Sequence, residues 1–485
     1  MNLKMVVFIL GYIMRLEGAL LLLPLVVAIY YKDATIASFL ITMLLLFLIG
    51  YILSFKKPKN QIIYAKEGLV IVALSWIVLS LFGALPYALS GEIPNYIDAV
   101  FESVSGFSTT GASVVTRVEG LSNSLLFWRS FTQWIGGMGV LVFILAIAPL
   151  AGGRSMYIMK AEVPGPTVDK LVPKIQKSAK ILYQIYIGMT ILLTLLLLFG
   201  GMPIFDSLLH AFATAGTGGF GIKSTSVAHY NHAYTDVVIT IFMVLFGVNF
   251  NLYYLIFTGS IITALKSEEL RNYLAIIGCS ALLVTINLMP RYENFFQSLR
   301  YALFQVTAII TTTGFANADF NKWPTFSKGI LFFLMFVGAC SGSTGGGIKV
   351  SRLSIALKSI VQYMRRMIHP RYVGTVRFEK KPVSIDTLKG VHIYISVYFF
   401  IYLISILLVS VDNYDFETTI SAVTSCFNTV APGFGMVGPS GNFSQFSGFS
   451  KLVLSMNMLL GRLEIFPIIM LFSPSLWKKG RHHSS

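Results

Sequence analysis

The chain has 485 residues, of which 55% are hydrophobic and only 12% charged, and its formal net charge is +16. Soluble proteins carry about 25% charged residues, so a soluble chain of this length could not cover its surface. The apolar content excludes disorder, and 17 prolines without a repeat exclude a collagen-like chain. Cys279, Cys340 and Cys426 lie far apart, with neither a disulfide framework nor metal-ligand spacing. A polytopic membrane protein remains.

A helix needs about 20 apolar residues to cross the hydrocarbon core. In chain order, runs of that kind occur at 12–31 (with Arg15 and Glu17 near one end), 34–55, 68–91, 130–153, 181–205, 237–265, 272–290, 329–348, 390–411 and 452–477. The last is broken by Arg462 and Glu464. Ten spans are therefore expected. The runs do not alternate apolar with polar, as strands of an outer-membrane barrel would. Met1–Tyr31 is too long and too charged for a cleavable signal. With the amino terminus inside, 26 of the 37 Lys and Arg fall on inner segments and 8 on outer ones. Arg15, Arg129 and Arg462 lie within or beside spans. This bias predicts two cytoplasmic termini. The positive charge reads as topology and contact with anionic lipid, not as nucleic-acid binding.

Four outer segments repeat one pattern: a semi-polar stretch too short to span, then Thr and Gly. They are Asp98–Gly111, Phe205–Gly219, Phe296–Gly314 and Phe416–Gly433. The unit is span, short helix, Thr/Gly loop, span. Each unit crosses twice, so all four share one orientation, which suits an axis along the membrane normal. The expected fold is an all-α integral membrane protein. It has four parallel span–pore-helix–span repeats around a pseudo-fourfold pore, plus an extra N-terminal helix pair. The corresponding segments are 1–66, 67–178, 179–270, 271–388 and 389–485.

Non-helical backbone at membrane depth must be buried in protein or line water. Four such loops meeting at one axis would line a pore. Their carbonyls could replace the hydration shell of a cation, and the negative C-terminal ends of the short helices would favour it there. No carboxylate sits in the four Thr/Gly stretches, which suits a monovalent ion better than a divalent one. The span after the third loop contains Gly338, Gly342, Gly345, Gly346 and Gly347. Each Gly in a helix loses roughly 1 kcal/mol relative to Ala, so this stretch is expected to leave the helix. It reads either as a gate below the loops or as a place of close helix packing. It is not a phosphate-binding loop, because Ile348 separates Gly347 from Lys349 inside an apolar span. Arg462, ten residues into its span, reads either as an electrostatic barrier in the pore or as half of a buried ion pair. Glu464 is expected to point elsewhere. Arg129 and Trp134 read as interfacial anchors, and His210, His229 and His232 as structural. No paired catalytic carboxylates or nucleophile–base motif suggest an enzyme. The rival from another class is an ion-coupled (H⁺ or Na⁺) secondary symporter built from inverted halves. Two crossings per repeat favour the pore.

Seven stretches together resemble the Trk/Ktr/HKT superfamily of potassium transport subunits, and its TrkH branch most closely. They are Phe101–Ser113, Gln133–Gly139, Ala161–Pro166, Thr217–Phe220, Thr311–Phe315, Gly342–Lys349 and Gly461-Arg462. The resemblance implies potassium uptake across a bacterial inner membrane. It implies one filter glycine per repeat: Gly111, Gly219, Gly314 and Gly433. The backbone of Thr109, Thr110, Thr217, Gly218, Thr312, Thr313, Val430, Ala431 and Pro432 would join them in holding K⁺. The fourth loop, Val430-Ala-Pro-Gly433, departs from the Thr-Thr-Gly pattern. The resemblance also implies a gate made of Gly338, Gly342, Ser343, Thr344, Gly345, Gly346, Gly347 and Lys349, with Arg462 below the filter. It implies a homodimer on a cytoplasmic ring of nucleotide-binding TrkA-type subunits. No cofactor is expected on this chain, since the nucleotide would sit on the partner. The inner segment 349–389, with ten Lys or Arg against Glu379 and Asp386, is the expected docking surface.

Overall fold

The computed structural model describes residues 1–60, 63–139, 175–292 and 294–477. Two antiparallel two-residue strands, Arg377–Phe378 and Lys381–Pro382, are the sole sheet among the described residues. The rest of the regular structure is helical. An N-terminal hairpin consists of α1 (Leu3–Leu20), α2 (Leu22–Tyr31) and α3 (Ile36–Ser54). Its two arms approach closely: a Cβ on Gly11 would lie 2.8 Å from the Gly50 carbonyl, and one on Gly50 2.7 Å from the Gly11 carbonyl. Small residues at such a crossing allow close van der Waals contact where lipid gives no hydrophobic drive.

Four similar units follow. The first spans are α4 (Ala65–Gly83) with α5 (Leu85–Ser90), α8 (Ile175–Phe199), α12 (Glu268–Leu288) and α16 (Ile385–Val409). The short helices are α6 (Tyr96–Phe107), α9 (Ile204–Ala215), α13 (Phe295–Ile310) and α17 (Phe416–Phe427). The second spans are α7 (Asn123–Gly137), α10 (Ala233–Phe246) with α11 (Phe250–Phe257), α14 (Thr325–Val337) and α18 (Gly448–Arg462). α15 (Val350–Ile368) and α19 (Phe466–Leu471) complete the helices used below.

The spans differ from the ten apolar runs read from the sequence. The first spans and the hairpin arms are long apolar helices that could cross a membrane. Among the described residues, the second spans of repeats two, three and four are short or broken. α10 and α11 meet at 90°. α14 stops at Gly338, and α18 is followed by Glu464 and Ile465 at φ 56° and 70°. Apolar composition sees only the hydrophobic run; the breaks come from Gly and from neighbours that satisfy the freed backbone. The inner part of run 130–153, the stretch Ala161–Pro166 and the basic residues of 154–174 lie outside the described residues.

Candidate ion pathway

The short helices begin with side-chain caps in three repeats. Asn95, Asn294 and Asp415 accept from the N–H groups of Ile97, Gln297 and Thr418 at 2.9, 2.8 and 2.9 Å. The side-chain and backbone hydrogen bonds from Thr418 hold the Asp415 carboxyl below its ordinary pKa. Each helix ends the same way. A right-handed residue is followed by a left-handed threonine: Thr109 (φ 57°), Thr217 (53°), Thr312 (60°) and Thr429 (54°). The threonine N–H bonds back to Gly106, Thr214, Ile309 and Cys426 respectively. The next N–H reaches five residues back in three repeats, Thr110 to Ser105, Gly218 to Ala213 and Val430 to Ser425; in the third, Gly314 reaches Ala308. A β-branched residue at positive φ is an outlier. Four in register mean that the surroundings over-determine the turn.

The four loops then meet in a closed ring. A Cβ on Gly111 would lie 2.1 Å from the Gly218 carbonyl, one on Gly219 1.9 Å from the Thr313 carbonyl, and one on Gly314 1.5 Å from the Ala431 carbonyl. The Ala431 N–H closes the circle on the Thr110 carbonyl at 2.9 Å. Glycine is required at the first three places, where φ is 81°, 68° and 77°. Ala431, two residues after Thr429, takes the fourth. Gly433 does not take the place that the sequence reading gave it: its N–H bonds the Val437 carbonyl, and a Cβ would meet Val437 and Ser421. The last glycine before phenylalanine is therefore not the equivalent one, because the fourth loop is longer beyond its threonine. Pro432 lines, with Gly111, Gly219, Gly314 and Ala431, a cavity of about 120 Å³ at one face of the ring.

Directly beneath lies the Gly338–Lys349 loop. Gly338 (φ 73°) ends α14, and the chain doubles back, so that Ile348, Lys349 and Val350 N–H groups bond the Phe336, Val337 and Ala339 carbonyls at 3.2, 3.0 and 3.1 Å. The excursion leaves and returns at one point. Its tip touches the ring. Gly346 N–H donates to Thr312 Oγ1 at 2.7 Å. A Cβ on Gly346 would lie 2.0 Å from Thr429 Oγ1, and one on Gly345 2.9 Å from the Thr311 carbonyl. Ser343 Oγ closes the turn on the Cys340 carbonyl.

Other elements hold the loop from the sides. The break between α10 and α11 supplies the Gly247 carbonyl to Cys340 N–H, the Phe250 N–H to the Gly342 carbonyl, and the Phe246 carbonyl to Thr344 Oγ1. Glu269 accepts from Ser341 N–H at 2.7 Å. Lys349 Nζ donates to the Gly345 carbonyl. Arg462 donates to the carbonyls of Thr344 at 2.7 Å, Gly137 at 3.0 Å and Gly136. Two cationic side chains thus sit beneath a ring of carbonyls. Glu464 pairs with Arg352, which lies 4.2 Å over the Tyr394 ring. It reaches a different helix from Arg462, as its spacing predicts.

A further sequence expectation is overturned. Arg129 and Trp134 do not anchor an interface at the outer end of a span. α7 begins at Asn123, so both fall inside it. Arg129 is 2% exposed and paired with Glu102 at 2.7 Å. Trp134 stacks on Phe131 and Tyr186 and donates to Thr190. The partner on α6 makes burial of the charge tolerable. His210 bonds the Asp206 carbonyl through Nδ1 at 2.8 Å and stacks on Phe315, which fits its structural reading. Sequence reasoning placed Gln133 in a resembling stretch but gave it no role; its amide bridges the Gly218 carbonyl and Phe220 N–H at 2.8 and 3.0 Å. The available signal was a polar residue inside an apolar run. Among the described residues, no group of three or more His, Cys, Asp or Glu could hold a metal ion.

A family model for TrkH, described as a cation transport protein, matches residues 35–292 and 294–479. The Trk system potassium uptake protein TrkH of Salmonella typhimurium is 34% identical over 490 residues, covering 99% of this chain and 100% of that one. The Trk system potassium uptake protein TrkG of Escherichia coli K12 is 32% identical, covering 98% and 99%. The crystal structure of the potassium transporter TrkH from Vibrio parahaemolyticus superimposes with a TM-score of 0.88 at 30% identity, covering 99% and 100%. The match runs through every repeat and both kinds of loop, and this multi-pass membrane chain belongs to the TrkH family of cation transport proteins.

Proposed function

We propose that this chain conducts K⁺ inward across a bacterial inner membrane, through the ring formed by the four Thr/Gly loops. The observation that carries the reading is the closed ring itself, in which each loop packs on the next and the last bonds the first. Carbonyls of Thr109, Thr110, Thr217, Gly218, Thr312, Thr313, Val430 and Ala431 are the candidate ligands, because no side-chain carboxylate stands in these stretches and carbonyl dipoles replace the hydration of a monovalent cation. The relatives named above are potassium uptake proteins, which supports the choice of ion.

The Gly338–Lys349 loop is the gate in this reading. It lies against the inner side of loops three and four, and Lys349 and Arg462 add positive charge to the obstruction. Residue 350 onward continues directly into α15, which exposes Leu357, Val361, Met364 and Ile368 beside Arg365 and Arg366. A cytoplasmic partner drawing on α15 would move the loop, which supports control by a nucleotide-binding ring under a homodimer. The relatives' designation as Trk system proteins fits a multi-component assembly. The charge bias supports cytoplasmic termini.

The test is rubidium uptake into liposomes holding the purified chain, with K⁺ and Na⁺ as competitors. Saturable uptake displaced by K⁺ far better than by Na⁺ is expected. Equal displacement by both ions, or no uptake after the Gly338–Gly347 excursion is shortened, would overturn the reading. Uptake driven by an imposed H⁺ or Na⁺ gradient alone would instead establish the symporter.

A further inference from the structure

Polar groups behind the ring are unevenly distributed. Glu102, His210 and Gln305 stand nine residues before Gly111, Gly219 and Gly314, and Ala422 stands nine before Ala431. The first position carries an acid, and a base has been brought to it. Glu102 is wholly buried, and Arg129 nearly so. The carboxylate accepts from Arg129 Nε at 2.8 Å, from Ser113 Oγ at 2.9 Å and from Val114 N–H at 2.9 Å. Arg129 in turn donates to Ser113 Oγ and to the Gly221 carbonyl, both at 3.2 Å, and its guanidinium lies 4.1 Å from the centre of the Phe220 ring.

Ser113 and Val114 follow Gly111 on loop one. Phe220 and Gly221 follow Gly219 on loop two. The pair therefore joins the outgoing segments of two neighbouring loops, immediately beyond their ring glycines. Replacement of a buried ion pair by well-packed apolar residues is often neutral for stability. Apolar residues could not hold two backbone groups and a hydroxyl across two segments at fixed distances. Arg129 also lines the cavity at the outer mouth. Neutralised by Glu102, its charge does not repel an arriving cation.

We propose that Arg129, locked by Glu102, is a positioning residue that sets the spacing between loops one and two at the outer end of the ring, and with it the discrimination between K⁺ and Na⁺. This rests on the potassium-conduction reading above. The guanidinium fork is the essential part: a lysine keeps the charge but is a point donor that cannot reach Glu102, Ser113 and Gly221 together.

The experiment compares Na⁺ inhibition of rubidium uptake in wild type, Arg129→Lys, and the double variant Glu102→Gln/Arg129→Gln, which strands no charge. Thermal stability is recorded for each. Arg129→Lys should still take up rubidium, while Na⁺ competes at roughly tenfold lower concentration, the effect of losing one charge-assisted hydrogen bond from the spacing. The double variant should show the same loss of discrimination. Wild-type Na⁺ competition in both variants, whatever their melting temperatures, would overturn the proposal and leave the pair as scaffold. Failure of both variants to accumulate in the membrane would overturn it too, since the pair would then act in assembly and not in ion choice. A wild type without K⁺-displaceable uptake would overturn the conduction reading itself, which the wild-type arm reveals separately.

Discussion

Two regions bring non-helical backbone to the middle of this membrane protein, and they are held there in different ways. The four Thr/Gly loops are fixed largely by their own short helices: each left-handed threonine bonds back into the helix that precedes it. Beyond its crossing point, the Gly338–Lys349 loop has two side-chain bonds of its own, from Ser343 Oγ to the Cys340 carbonyl and from Lys349 Nζ to the Gly345 carbonyl. Its other tethers come from elsewhere, from Arg462, Glu269, Thr312 and the break between α10 and α11. Local bonds within one segment persist while neighbours move. Tethers from distant elements let go when those elements shift. In the proposed reading, the ring held by local bonds suits a filter, and the loop held by remote tethers suits a gate.

The sharpest way to break this comparison is in the ring. Gly314→Ala puts a Cβ 1.5 Å from the Ala431 carbonyl at φ 77°. Rubidium uptake should fall on the order of 100-fold, because ångström-scale displacement of a binding group has that effect. Gly433→Ala, at ordinary φ and outside the ring, should retain most uptake. Equal loss in the two would refute the register in which Ala431, not Gly433, completes the ring.

The next test removes the lower region. Deleting Gly338–Gly347, or shortening it enough to clear the ring, should raise uptake roughly tenfold, a shift equivalent to about 1.4 kcal/mol in the closed–open balance. The K⁺ over Na⁺ preference should survive, since the ring keeps its own bonds. A folded deletion that takes up no more rubidium than the closed wild type would mark the stretch as packing.

Cutting a single tether should do less. Arg462→Ala removes the bond to the Thr344 carbonyl and the bridge to α7. Uptake should rise by roughly threefold to tenfold, as loss of one charge-assisted hydrogen bond allows. A large fall in melting temperature with no gain in uptake would show that the arginine's role is structural. The smallest effect is expected at a ring helix start. Asp415→Ala removes the cap on Thr418 N–H and should lower stability by about 1 kcal/mol, read from the melting temperature. Because its carboxyl is held below the ordinary value, the wild-type contribution should be full above the unfolded pKa. It should fade as pH falls through the lower folded one. The variant's deficit should shrink over that acid window.

Much of the architecture was legible in the chain. Long apolar runs announced the first spans, because burial in lipid demands about 20 such residues whatever the neighbours do. Four Thr/Gly stretches in one order announced the repeats, and five glycines in ten residues announced that the third inner span would leave the helix. These features are properties of single segments, so a one-dimensional string carries them. Three things it did not carry. The second spans of repeats two, three and four proved short or broken, because their breaks depend on carbonyls and donors supplied by other helices. The fourth ring position is Ala431, because register depends on what the neighbouring loop's Thr110 carbonyl meets, not on where the next glycine falls. Arg129 is buried against Glu102, 27 residues earlier, and Arg462 reaches Gly136 and Gly137, more than 300 residues away in sequence. A charge's cost depends on its partner, and only the packed helices decide which partner lies within hydrogen-bonding distance.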